Sequence, residues 1–191
     1  MNAKAVVPGV AILTALAAAA GREVVNESFT GEQFPPAGWY ILYEQGWWSR
    51  AEVNGDYYAD GRGHASNGGA ASYLYSKTFN LTSSGKINIQ FNYYAGEDGF
   101  NGVNVREVHL ERAGEGLWED DFPTLTDWRH YDKTVGPFPK ASGYRLYFEV
   151  GATGFNYYAH WCLFGVDDVY VRECYTDVAP ASLGRVKALL R

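Results

Sequence analysis

The segment Lys86–Tyr94, KINIQFNYY, puts Ile87, Ile89, Phe91 and Tyr93 on one face of an extended chain and Asn88, Gln90 and Asn92 on the other. A helix would scatter those four apolar side chains around its axis, whereas a sheet with one face in a core and one in water uses the alternation directly. Ser72–Phe79 (SYLYSKTF) repeats the pattern, and Val24–Phe29, Trp128–Thr134, Tyr144–Val150 (YRLYFEV) and Val166–Val171 read as further short strands. Val103–Glu111 alternates with one change of phase at Arg106–Glu107, which predicts a β-bulge. Pro35 and Pro36 forbid helix and mark a turn, and the glycine-rich NGDYYADGRGHASNGGA from Asn54 reads as a long surface loop. Asn80–Gly85 is a turn that either closes a hairpin or carries the chain between sheets. No segment before residue 175 has helical periodicity, and 22 glycines, 15 tyrosines, 10 phenylalanines and 6 tryptophans suit short strands joined by tight turns. The fold class is therefore all-β, a sandwich of two antiparallel sheets.

Residues 1–20, MNAKAVVPGVAILTALAAAA, carry one basic residue, Lys4, and then an uncharged run ending in small residues, the layout of a secretory signal peptide. The run is shorter than the ~20 apolar residues of a spanning helix, so the mature chain is expected to be secreted or surface-attached without a transmembrane span. The expected organisation is a signal peptide at 1–20, a β-sandwich domain at 21–174 and a tail at 175–191. In the tail, Ser182 can cap a short helix with Leu183, Val186, Leu189 and Leu190 on one side; a frayed tail is the alternative. A net charge of −6 speaks against nucleic acid as a partner. Cys162 and Cys174 would pair in an oxidising compartment. An extended chain between them would hold their Cα atoms far beyond the ~4.4–6.8 Å of a disulfide, so a bridge and free thiols both stay open.

Three segments resemble, in this order, the bacterial cleaved-adhesin and choice-of-anchor J domains, relatives in fold of the MAM domains: NESFTGEQFPPAGWYI (26–41), ASYLYSKTFNLTSSGKINIQFNYY (71–94) and YRLYFEVGATGFNYYAHWCLFGVDDVYV (144–171). The resemblance implies a jelly-roll-like β-sandwich of an exported protein that serves adhesion or recognition of glycan or protein, in some cases with structural Ca²⁺. In similar sandwiches calcium ties the first strand to the last, which makes Glu27 and Asp167 the candidate metal pair; hydrogen bonds to loop amides or a salt bridge are the alternative. Asn54, Asp56 and Asp60 lack the D-x-D-x-D-G spacing of a calcium loop.

Aromatic doublets recur at Trp47–Trp48, Tyr57–Tyr58, Tyr93–Tyr94 and Tyr157–Tyr158. In a strand one member of each points outward, where its flat ring can stack on the apolar face of a sugar while polar neighbours hold the hydroxyls. The candidate ligand-binding residues are Trp48, Tyr57, Tyr58, His64, Tyr158 and His160. The chain has no H-E-x-x-H, G-x-S-x-G or E-x-D-x-x-E string, and Glu44 and Glu149 are merely two acids available for glycan cleavage. The expected function is non-catalytic recognition of a glycan or surface protein. A self-associating structural subunit of an extracellular filament or layer is the alternative, and a glycan-cleaving enzyme is the third.

Overall fold

The computed structural model describes residues 21–43, 46–65, 70–97, 103–153 and 160–175; the signal peptide expected at 1–20, Glu44, Tyr158 and the helix expected in the tail fall outside them. Among the described residues twelve strands are formed: β1 (Gly21–Glu27), β2 (Tyr40–Tyr43), β3 (Gly46–Val53), β4 (Asp56–Ala65), β5 (Ala70–Tyr75), β6 (Phe79–Leu81), β7 (Gly85–Glu97), β8 (Val103–Arg112), β9 (Glu115–Asp121), β10 (Arg129–Phe138), β11 (Ala141–Thr153) and β12 (His160–Cys174). The first sheet runs β10-β7-β12-β4-β3 with β1 also on β12, and the second runs β2-β5-β11-β8-β9 with β6 on β11. β6 and β7 belong to different sheets, so the Asn80–Gly85 turn crosses the sandwich.

The inner faces meet in an aromatic core centred on Phe91. Phe148 reaches Phe91 from the second sheet at 5.2 Å edge-on, and Phe122 packs on Phe91, Tyr93, Tyr131 and Phe164 at 4.6–5.6 Å. Such ring pairs add about 0.5–1.5 kcal/mol each to the area they bury. At the end of the core, Glu173 is 1% exposed on the inner face. It accepts hydrogen bonds from the Thr82 and Ser83 amides, both at 2.8 Å, and from both hydroxyls. Burial alone would raise its carboxyl pKa, but these donors outweigh burial and hold it below the ordinary value. That carboxylate pins the crossover to β12.

Two sequence expectations are corrected. The stretch from Asn54 is not a loop: Asn54 (φ 54°) and Gly55 (φ 86°) make a tight reversal between β3 and β4, and β4 continues to Ala65. Its glycines are there for close approach. A Cβ on Gly61 would lie 2.7 Å from the Trp48 ring, and one on Gly63 would lie 2.8 Å from the Gly151 backbone of the facing sheet.

β8 pairs with β11 in unbroken register from Val103 to Arg112, so there is no bulge at Arg106–Glu107. Arg106 itself takes the inward position, 3% exposed. It donates to the Leu163 carbonyl at 3.1 Å and the Gly96 carbonyl at 2.8 Å, tying the second sheet to the first. A satisfied guanidinium thus occupies the place where the pattern calls for an apolar residue.

Cys162 and Cys174 are both free thiols near the two ends of β12, about 40 Å apart at the strand rise, so they form no intramolecular disulfide. Cys162 is buried against the Val105 carbonyl, and burial pushes its thiol up to about 11.

The Gly63 approach generates a stability prediction. Gly63→Ala places a methyl against backbone that cannot move without separating the sheets, so it is expected to destabilise the fold by ~1–3 kcal/mol. Chemical denaturation should show a lower midpoint, whereas Gly116→Ala, with open space around its Cβ and no positive φ, should cost less.

Candidate ligand-binding face

The outer face of the first sheet holds a cavity of about 360 Å³ lined by Val53, Asn54, Asp56, Tyr58, Asn92, Trp128 and Asp167. Its position follows from the strand pairing. β4 stays on β12 only as far as Ala59 opposite Val166, and β1 takes over the same side with Glu27 opposite Val169. Asp167 and Asp168 sit in the interval, where the register with β7 also shifts and Asp168 adopts φ 48°. The irregularity puts Val166 and Val169 both into the core and turns Asp167 outward to the cavity floor.

One wall is aromatic. Tyr58 meets Trp128 edge-on at 5.1 Å, and Tyr94 lies 6.2 Å from Trp128 on the other side. Beneath them is Gly165, where a Cβ would come within 3.2–3.3 Å of Trp128 and Tyr58, so the glycine lets the rings lie low over β12. Trp128 keeps 38% of its surface exposed.

The other wall is polar. Asn92 donates to Asp168 Oδ2 at 2.9 Å and its Oδ1 is 3.0 Å from His130 Nδ1. Further along, Asn88 and Gln90 both donate to Asp132, at 2.6 and 3.1 Å. Asp167 is 8% exposed. Burial first, and the charges of Asp168 and Asp56 next, push its carboxyl up to about 7, against the opposing hydrogen bond from the Asp168 amide. Flat rings beside fixed amide and carboxylate groups can stack on a ligand and orient its hydroxyls.

The structure sorts the residues proposed from sequence. Tyr58 and Asp167 meet in this cavity. Trp48 does not belong to a surface: it is 3% exposed, in the core by Phe164 at 6.3 Å. Its doublet partner Trp47 is the outward ring, 39% exposed and 4.9 Å from Trp161 in a second aromatic pair. Tyr57 lies on the opposite face of β4 from Tyr58, under the Arg50 guanidinium at 4.5 Å. His64 pairs with Trp161, and His160 with Ala65, in the β4–β12 ladder, while Tyr158 lies outside the described residues.

Glu27 ends β1 opposite Val169, two positions from Asp167 on β12. Glu27 shares the inner face with Val25 by alternation, and its Oε1 accepts from the Phe29 amide at 2.9 Å, whereas Asp167 faces outward. Glu149, on β11, belongs to the second sheet and so not to this cavity. Trp128, Tyr94 and Asn92 were missed in the sequence. Tyr94 was legible, since the inward Phe91 and Tyr93 leave it outward, but nothing local to Trp128 tells which strand it will cover.

No family model matches the chain, and no curated protein matches it. Among solved structures, the carbohydrate-binding module TmCBM27, which recognises mannan, aligns over 82% of this chain and 100% of its own, with 11% identity and a TM-score of 0.52. A cleaved adhesin domain of Lys-gingipain from Porphyromonas gingivalis aligns over 80% of this chain and 99% of its own, with 14% identity and a TM-score of 0.51. At such identities the likeness is one of fold, and the fold is a jelly-roll-like β-sandwich.

Proposed function

We propose that the chain is an exported, non-catalytic recognition module that binds a glycan across the outer face of its first sheet, at the cell surface or in the extracellular space. The observation that carries this reading is the Tyr58–Trp128–Tyr94 cluster over Gly165, set directly beside Asp167 and Asn92. Such a surface offers a stacking platform and hydroxyl-orienting groups. The signal-like run at 1–20 supports export, and TmCBM27 and the gingipain adhesin domain supply a precedent for glycan recognition and adhesion on this fold. A self-assembling subunit is the second reading. It draws on the four-residue edge strand β2, where Tyr40, Leu42 and Tyr43 are 42%, 49% and 57% exposed.

Three outcomes are expected. On a glycan array followed by calorimetry, the full chain binds at least one oligosaccharide. Trp128→Ala weakens that binding at least tenfold, about 1.4 kcal/mol, with the melting temperature little changed; absence of binding across a broad panel, or an unaffected Trp128→Ala, would count against the site. Asp167 adds a pH signature. Its raised carboxyl pKa means that the folded state holds the proton more tightly than the unfolded one, so stability falls as pH rises from about 4 to about 7. Affinity for a neutral glycan should rise over the upper part of the same range, as the ionised carboxylate accepts hydroxyls. Both trends should vanish in Asp167→Asn, as measured by melting and titration from pH 5 to 8. Finally, light scattering should report a monomer without ligand; filaments would favour the assembly reading.

A further inference from the structure

The outer face of the second sheet carries a separate cluster. Glu107 and His109 lie two apart on β8 and share that face, because Val108 and Leu110 are buried on the other. Register sets Glu149 opposite Glu107 and Tyr147 opposite His109 on β11, and Asp121 and Glu119 opposite the same two residues on β9. Glu149, Glu107 and Asp121 thus form a row of carboxylates across three strands, and like charges directly opposite one another destabilise a sheet.

His109 stands beside that row, 8% exposed, its ring stacked on Tyr147 at 4.3 Å and 8°. Its Nε2 is 2.9 Å from Glu107 Oε2 and 3.4 Å from Glu149 Oε2, while Nδ1 is 3.5 Å from Glu119 Oε2. Despite those distances, Nε2 is a buried atom without a hydrogen bond. The stacked Tyr147 fixes the ring so that one nitrogen faces two carboxylates and the other faces the third.

We infer that His109 Nε2, Glu107 and Glu149 form a binding site for a divalent transition-metal ion of the zinc class, with Glu119 as a positioning residue on Nδ1. Tetrahedral zinc takes nitrogen at ~2.0–2.1 Å and carboxylate oxygen at ~2.0–2.2 Å, which spaces its ligand atoms about 3.3–3.5 Å apart. The separation to Glu149 already matches, and that to Glu107 needs to open by a few tenths of an ångström. Glu119, 3.5 Å from Nδ1, favours the tautomer with its proton there, which leaves the Nε2 lone pair free for metal. The donor set selects the metal class: a buried imidazole suits zinc and its neighbours, whereas Ca²⁺ asks for six to eight oxygens. A cavity of about 360 Å³ beside His109, lined by Gly116, Leu117, Trp118 and Glu119, gives the ion a way in.

The test is calorimetric titration of zinc into the EDTA-stripped, dialysed full chain at pH 7.5, with melting curves alongside. One saturable ion per chain is expected, with calcium at equal concentration failing to compete. At zinc about a hundredfold above Kd the melting temperature should rise by roughly 5–10 °C. His109→Gln and Glu149→Gln should each weaken zinc at least tenfold. In EDTA, Glu149→Gln should melt no lower than the parent, because it removes a like-charge pair, so loss of its zinc binding cannot be put down to misfolding. Absence of saturable binding, equal competition by calcium, or unchanged affinity in both variants would overturn the site.

Discussion

β12 is the strand on which the other parts of the molecule depend. Its fifteen residues bond to β7 along one side and to two strands in succession along the other. Antiparallel pairing with a single partner along its whole length would have kept the ladder regular. The change of partner at Asp167–Asp168 instead requires a local irregularity, and the positive φ of Asp168 absorbs it. A residue other than glycine is strained there, and such strain persists only where surrounding pairing fixes it, as β7 does here from both flanks. The cavity is therefore a consequence of how the first sheet is joined, not an accident of a loop.

The same strand sets where side chains of each kind can go. With Phe164, Val166, Val169 and Val171 turned inward, its outer positions are left to Trp161, Leu163, Gly165 and Asp167, which run from aromatic to acidic along one face. Gly165 is the pivot of that series. Any larger residue there would lift Trp128 and Tyr58 away from the sheet, and the rings would lose their support before a ligand gained anything from them. The Asp167 carboxyl works against this economy of packing: burial beside Asp56 disfavours its charge, so the fold bears a cost at that position. Native stability is a small difference of large terms, and the Phe91-centred core is what lets the sandwich tolerate that position.

Much of the fold was legible because alternation is a local property. Lys86–Tyr94 and Tyr144–Val150 became the middles of β7 and β11, the first with its predicted face buried. Where the pattern misled, a long-range contact had replaced a local rule. Arg106 sits inward because carbonyls from two other strands receive it, which no window of residues around 106 can reveal. Gly61 and Gly63 look like loop residues until Trp48 and Gly151 are seen against them. The choice between Trp47 and Trp48 turned on phase alone, and the phase was set by those glycines.

The sites show the limit of spacing in a more general way. Helical metal motifs announce themselves because i and i+4 share a face within one segment. In a sheet, the neighbours of a residue are its cross-strand partners, and these are fixed by register. His109 is brought to Glu149 and Glu119 by two ladders joining residues 40 and 10 positions away, and Tyr58 reaches Trp128 across a sheet built from segments that alternate with those of its partner sheet. Both constellations are products of topology. A chain of this class therefore carries its chemistry in the pairing of strands, and a search for function in such chains has to begin from register before it asks which residue types are present.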